Sequence, residues 1–150
     1  MPMTLDELRA RLSDIEPTER TFADITPDDV PQLRKLLDDN EAWLAARAVY
    51  ALGRINTPDA QTVVMEAARS PRPEVRVAVA MNAPRLEPGH SDQVLDILLD
   101  DSDLGVRKYA IQAFSQRTDP RLKAKLESIV GSDPNDTLRR IARERLRELR

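Results

Sequence analysis

Leu44-Ala-Ala-Arg-Ala-Val-Tyr-Ala-Leu-Gly53, Val75-Arg-Val-Ala-Val-Ala-Met-Asn-Ala-Pro84 and Val106-Arg-Lys-Tyr-Ala-Ile-Gln-Ala-Phe-Ser115 are three versions of one helical stretch, set 31 residues apart. A degraded fourth version starts at Leu138-Arg139. The doublets Leu36-Leu37, Ala67-Ala68, Leu98-Leu99 and Ile129-Val130 keep the same interval, so each first helix is accompanied by a second. A period of this size marks a solenoid, in which a unit buries its apolar face only by stacking on its neighbours. The expected architecture is all-α: about four helical hairpins with an extra amphipathic helix at the N-terminus.

Composition agrees with this. The chain of 150 residues has one Trp, two Tyr and two Phe, and small-residue helix packing suits it better than a β-sandwich or barrel. With no Cys there are no disulfides and no thiolate-bound metal, which fits a reducing compartment. No apolar run approaches the roughly 20 residues that span a bilayer. The start, Met1-Pro-Met-Thr-Leu-Asp-Glu-Leu8, lacks the basic and apolar regions of a signal peptide. A cytoplasmic, monomeric protein without membrane contact is expected.

Charge is distributed unevenly. Residues 1–41 hold 11 acidic and 5 basic side chains, residues 42–133 hold 12 of each, and residues 134–150 hold 3 acidic and 6 basic. Such polarity suits either an oriented partner or the solvated ends of a solenoid; the second is the simpler reading.

Local signals place the helices. Thr4 can cap a helix over 4–15 in a box with Glu7, and Leu5, Leu8, Leu12 and Ile15 form its stripe. Pro17 ends it, and 17–25 form a linker anchored by Phe22 and Ile25, with room for a short helical turn. Thr26-Pro27, Thr57-Pro58 and Asp119-Pro120 start second helices, since Pro at the first helical position sacrifices no hydrogen bond. Pro88-Gly-His-Ser91 departs from this pattern, with Ser91 as a late cap. The remaining helices are expected near 27–38, 41–54, 59–69, 73–84, 91–100, 104–116, 120–130 and 134–149. No linker exceeds about ten residues, so one domain over 1–150 is expected: 1–25 a capping helix and linker, 26–149 the repeats.

The pattern resembles the HEAT-repeat family, in the short bacterial type also found in phycobilisome lyases. Its Val-Arg-x-x-Ala-x-x-Ala-Leu-Gly helix corresponds to Val106-Arg107, Ala110 and Ala113-Phe114, and to Ala48 and Ala51-Leu52-Gly53. Its Leu-x-Asp helix ends correspond to Leu36-Leu37-Asp38-Asp39 and Leu98-Leu99-Asp100-Asp101. The resemblance covers about residues 26–149 and implies a right-handed α-solenoid whose second helices line the concave side. It also implies that Arg76, Arg107 and Arg139 pair with acids of the inter-repeat turns, here Asp100, Asp101, Asp103 or Asp133. It implies a scaffold for protein contacts, or an accessory subunit of a lyase-like enzyme.

Chemistry is hard to place on this chain. His90 is the sole His and sits in a Pro-Gly turn, where exposure is expected; no His triad or multi-His metal site can form. Asp100, Asp101 and Asp103 lack the Gly and distal Glu of a calcium loop. Among four Gly no phosphate loop occurs. The sequence therefore assigns no catalytic, cofactor-binding or metal-binding residue, and an enzyme would have to rely on Asp, Glu, Arg or Tyr in a groove.

Binding is the expected function: a scaffold, adaptor or inhibitor that holds another protein. Helical projection puts Ile97, Met65 and Glu66 opposite the core, with Val63 and Val94 flanking them. The repeat equivalents of Ile97 are Lys35, Glu66 and Ser128, all polar, so an apolar residue there has no repeat-wide packing reason. Trp43, whose equivalents are Glu74 and Gly105, either covers the N-terminal extension near Phe22 or anchors a partner. Asn82 and Pro84 replace small residues of other units, and Asn82 is expected to bond the irregular turn after it. Arg139, Arg143, Arg147 and Arg150 form a basic stripe that could follow a nucleic-acid backbone, although Glu144 and Glu148 interrupt it.

Overall fold

The computed structural model describes residues 2–13 and 18–149, and among them it is helical with no strand. Expectations for Ile15 and Pro17 fall outside the described residues, as does that for Arg150. Helix α1 (Leu5–Leu12) starts as expected: the Thr4 hydroxyl accepts the Glu7 N–H at 3.1 Å. The linker contains a short helix, α2 (Glu19–Ala23), and Ile25 is buried beyond it.

First helices are α4 (Ala42–Ile55), α6 (Pro73–Asn82), α8 (Leu104–Ala113) and α10 (Asp136–Glu148). Second helices are α3 (Val30–Leu36), α5 (Pro58–Ala67), α7 (Pro88–Leu98) and α9 (Lys123–Ser132). A 3₁₀ turn, Pro27–Asp29 or Pro120–Leu122, leads into α3 and α9. Leu33, Val64, Leu95 and Leu126 form one fully buried row down the second helices. Leu36, Ala67, Leu98 and Ile129 form another. First helices pack closely on one another because Ala48, Ala51 and Gly53, then Ala78 and Ala80, then Ala110 and Ala113, keep their backbones near. Second helices touch each other more sparingly, which leaves grooves between them.

Three boundaries differ from the sequence reading. Helix α7 begins at Pro88 with Glu87 before it, so Ser91 lies inside the helix and the Pro start is kept, shifted by one residue. Helix α8 stops at Ala113, since Phe114 turns to an extended conformation with its ring in the core. Helix α10 starts at Asp136, where Asn135 rather than Asp133 caps it, accepting the Leu138 N–H at 3.0 Å.

The turns between hairpins are tied together. Asp39, Ser70, Asp101 and Asp133 each accept, through the side chain, the backbone N–H two residues on. Arg76 reaches from the Ser70 carbonyl (2.9 Å) to the Asp101 carboxylate, which it grips with two bonds of 2.7 and 3.0 Å. Arg107 spans the Asp101 carbonyl (2.9 Å) and the Asp133 carboxylate (3.0 Å) in the same manner. The hydrogen bonds that Arg76 donates to Asp101 raise its pKa above the ordinary value against the opposing effect of burial. One unit has neither partner: Ala45 stands where Arg is expected and Ser70 where Asp is expected. There Arg72 substitutes, donating from the Ser70 turn to the carbonyls of Leu37 and Asp39, while Arg9 of α1 takes the Asp39 carboxylate.

Candidate functional site

The second helices are joined pairwise by ion pairs that skip the centre. Arg34 of α3 meets Glu66 of α5 at 2.6 Å, and Lys125 of α9 meets Asp96 and Asp100 beside α7 at 2.7 and 2.5 Å. Between α5 and α7 no ion pair occurs among the described residues. Moving the Arg34–Glu66 pair along by 31 residues gives Met65 and Ile97, so an apolar pair occupies the place of a salt bridge. Both side chains are half-buried, rest on the core, and line a groove of about 480 Å³.

Val94 forms the floor of that groove, and Thr62, Glu66, Arg69 and Gln93 form its polar rim. Val63 is buried and does not line it. The helical projection set Val63 and Val94 beside the strip, and both are buried; Met65 and Ile97, which it set opposite the core, rest half-buried against it. A second helix in a solenoid is covered by two neighbouring second helices as well as by the first-helix layer, so its apolar arc is wider than a single stripe. A second groove of about 350 Å³ between α7 and α9 adjoins the first through Gln93 and is lined by Asp92, Asp96 and Lys125.

His90 also belongs to the site, and the expectation that it is exposed in a turn is corrected. It lies in the first turn of α7, half-buried, with Nδ1 2.7 Å from Gln61 Oε1. That oxygen also accepts the Glu87 N–H at 3.0 Å, so Nδ1 must carry the proton and Nε2 is left for the groove. A signal was present: Gln61 is a polar residue amid the apolar positions of α5, and it is buried.

Other singled-out residues separate from the groove. Trp43 is 45% exposed, and one face of its ring carries the Arg47 guanidinium, 5.1 Å from the centroid. Phe22 packs under Arg54, 5.0 Å away. Asn82 is buried, but it bonds back to Ala78 O (2.7 Å) rather than to the following turn, and its amide lies in the space left by the missing side chain of Gly53.

On α10 the basic stripe is smaller than its sequence suggests. Arg139 is held by the Asp133 carbonyl and Asp136. Arg140 and Arg145 pair with Glu144 and Glu148. Of the stripe, Arg143 and Arg147 are exposed and make no ion pair among the described residues. Arg143 and Arg147 alone would give duplex DNA binding a log–log salt slope of about −2. A titration over several salt concentrations checks this; a steeper slope would mean that cations beyond these two neutralise phosphates.

Among the described residues no three His, Cys, Asp or Glu side chains converge on a metal-sized site. No described helix is long and apolar enough to cross a membrane.

No curated protein matches the sequence significantly. Residues 30–85 match the family model for HEAT repeats. In a structure of the complex of CpcE and CpcF of phycocyanin lyase from Nostoc sp. PCC7120, one chain superposes with a TM-score of 0.74 at 21% identity, covering 95% of this chain and 97% of that one. A designed armadillo repeat protein in complex with the peptide (KR)4 superposes with a TM-score of 0.53 at 18% identity, covering 97% of this chain and 82% of that one. The chain thus carries HEAT repeats in residues 30–85 and has, over nearly its whole length, the fold of a HEAT/armadillo-type α-solenoid.

Proposed function

We propose that the chain is a non-catalytic protein-binding module, a scaffold, adaptor or inhibitor, that seats its partner on the second-helix face. The observation that supports this most is the apolar Met65–Ile97 pair at the place of a salt bridge, set in a groove with a polar rim. An apolar centre inside a polar border is the usual anatomy of a protein interface. The second helices form the concave side if curvature follows the family pattern. The two similar folds support a protein partner, since one comes from a two-protein complex and the other holds a peptide.

The double variant Ile97→Asp with Met65→Lys tests the reading. Thermal melting is expected to stay cooperative with a somewhat lower midpoint, because both side chains are half-buried. Proteins retained from an extract of the source organism by the wild type are expected to be lost. Loss of cooperative melting would instead make these residues core and end the proposal. The accessory-subunit reading is separated by what is retained: an enzyme subunit whose activity falls with the variant supports it.

A further inference from the structure

His90 brings one acceptor of fixed orientation to the groove between α5 and α7. Its ring is set through Gln61, which is buried and whose amide is oriented by backbone at both ends. Gln61 Nε2 donates to the Asn56 carbonyl at 3.5 Å, and Oε1 accepts the Glu87 N–H at 3.0 Å. The same oxygen lies 2.7 Å from His90 Nδ1. A carboxamide oxygen cannot donate, so the fold keeps the proton on Nδ1 and the lone pair on Nε2. No described residue engages Nε2.

Around this acceptor the groove presents Met65, Val94 and Ile97. Its charged lining comes from the α5 side: Glu66, which Arg34 holds, and Arg69. On α7 itself, Asp92 and Asp96 turn toward α9, where they meet the Asp119 N–H and Lys125. Glu87 precedes the helix, and Arg85 of the turn before it lines a cavity in the first-helix layer. Helices α6 and α8 contribute no residue to the groove lining. The site is therefore an apolar seat with a neutral hydrogen-bond acceptor at its edge.

Few side chains meet both demands. Leu, Ile and Phe carry no donor, Ser and Thr carry no apolar body, and Lys or Arg would set its charge beside Arg69. Trp has both parts: its indole N–H only donates, and a thioether such as that of Met65 packs favourably on an aromatic ring. Tyr has the shape, but its hydroxyl both donates and accepts, so it does not require the neutral form of His90.

We infer that the groove seats a tryptophan side chain of the partner protein, its rings on Met65, Val94 and Ile97 and its indole N–H donating to His90 Nε2. The inference rests on the second-helix face being the binding surface. It makes His90 the residue that sets specificity, and it makes binding sensitive to acid. Protonation of Nε2 turns the acceptor into a donor facing a donor, so binding is full above the His90 titration and weakens as pH falls through it.

The test uses the full chain and N-acetyl-tryptophanamide, with its 1-methylindole derivative as the control without a donor. Binding is followed by NMR, where the ring C–H signals of the sole His report its titration directly. Saturable shifts of those signals and of the Met65 and Ile97 methyl groups are expected. The methylated probe is expected to bind about fivefold more weakly, as the loss of one hydrogen bond implies. Affinity for the unmethylated probe is expected to fall by a similar factor between about pH 8 and pH 5, with the midpoint of the His90 ring titration. His90→Phe removes the acceptor and leaves Gln61 the Glu87 N–H. That variant, once cooperative melting verifies its fold, is expected to bind both probes alike and without pH dependence; if it does not fold, the wild-type comparisons decide. Unshifted signals, equal binding of the two probes, or affinity that holds or rises in acid would each overturn the inference. Equal binding of both probes that is still lost in the Ile97→Asp, Met65→Lys variant would remove the role of His90 alone and leave the second-helix face as the binding surface.

Discussion

Asp101→Ala is expected to lower the melting temperature by about 10 °C. The Arg76 and Asp101 side chains are only 14% and 8% exposed, so their two-point contact is largely withdrawn from water. Removing one member of such a pair leaves a buried charge without compensation, at a cost of about 3–5 kcal/mol. In a domain of this size 1 kcal/mol corresponds to roughly 2–4 °C. The same change also takes the acceptor from the Asp103 N–H. The molecule supplies its own control in the unit that has Ala45 and Ser70 instead. Arg76→Ala combined with Asp101→Ser copies that unit, and the double variant is expected to be more stable than the sum of the single losses by about 1–3 kcal/mol. Strict additivity in a denaturant-based double-mutant cycle would show that the two side chains act separately.

Gly53→Ala is the second large effect, and its sign runs against helix propensity. An alanine in mid-helix normally gains about 1 kcal/mol over glycine. Here the new Cβ would stand 2.6 Å from Asn82 Oδ1 and 3.1 Å from its Cγ. The amide is buried and held by its bond to Ala78 O, so it cannot swing away without losing that bond. Overpacking of this kind costs about 1–3 kcal/mol. A fall in melting temperature of about 5 °C is expected. Adding Asn82→Ala removes the clash, since the remaining Cβ contact of 3.4 Å is ordinary, and most of the loss should return. A stabilising Gly53→Ala single variant would show that α4 and α6 are less tightly apposed than their geometry implies.

What the sequence reveals here depends on whether a feature repeats. The core rows from Leu33 to Leu126 and from Leu36 to Ile129 were readable because four units agree on them. The Arg76 and Arg107 contacts were readable for the same reason, as implications of the family pattern. Features made by one unit against another were not. Asn82 looked anomalous within its own helix and is explained only by Gly53 on the neighbouring one. The burial of Val63 and Val94 was not readable either, because a projection of one helix cannot show the helices beside it.

The guanidinium chain along the inter-hairpin turns also makes the two edges of the solenoid mechanically unequal. On that edge Arg72, Arg76 and Arg107 each clamp two successive turns through several charged or bifurcated bonds. On the other edge the ties between neighbouring units are fewer and centre on one acceptor at each junction: Gln61 takes the Glu87 N–H and His90, and Asp92 takes the Asp119 N–H. Such a body is expected to flex like a hand fan pinned along one side, with spacing held at the pinned edge and changing at the free one. The grooves between the second helices would widen or narrow with that motion. A partner seated there would therefore sense, and set, how far the fan is open.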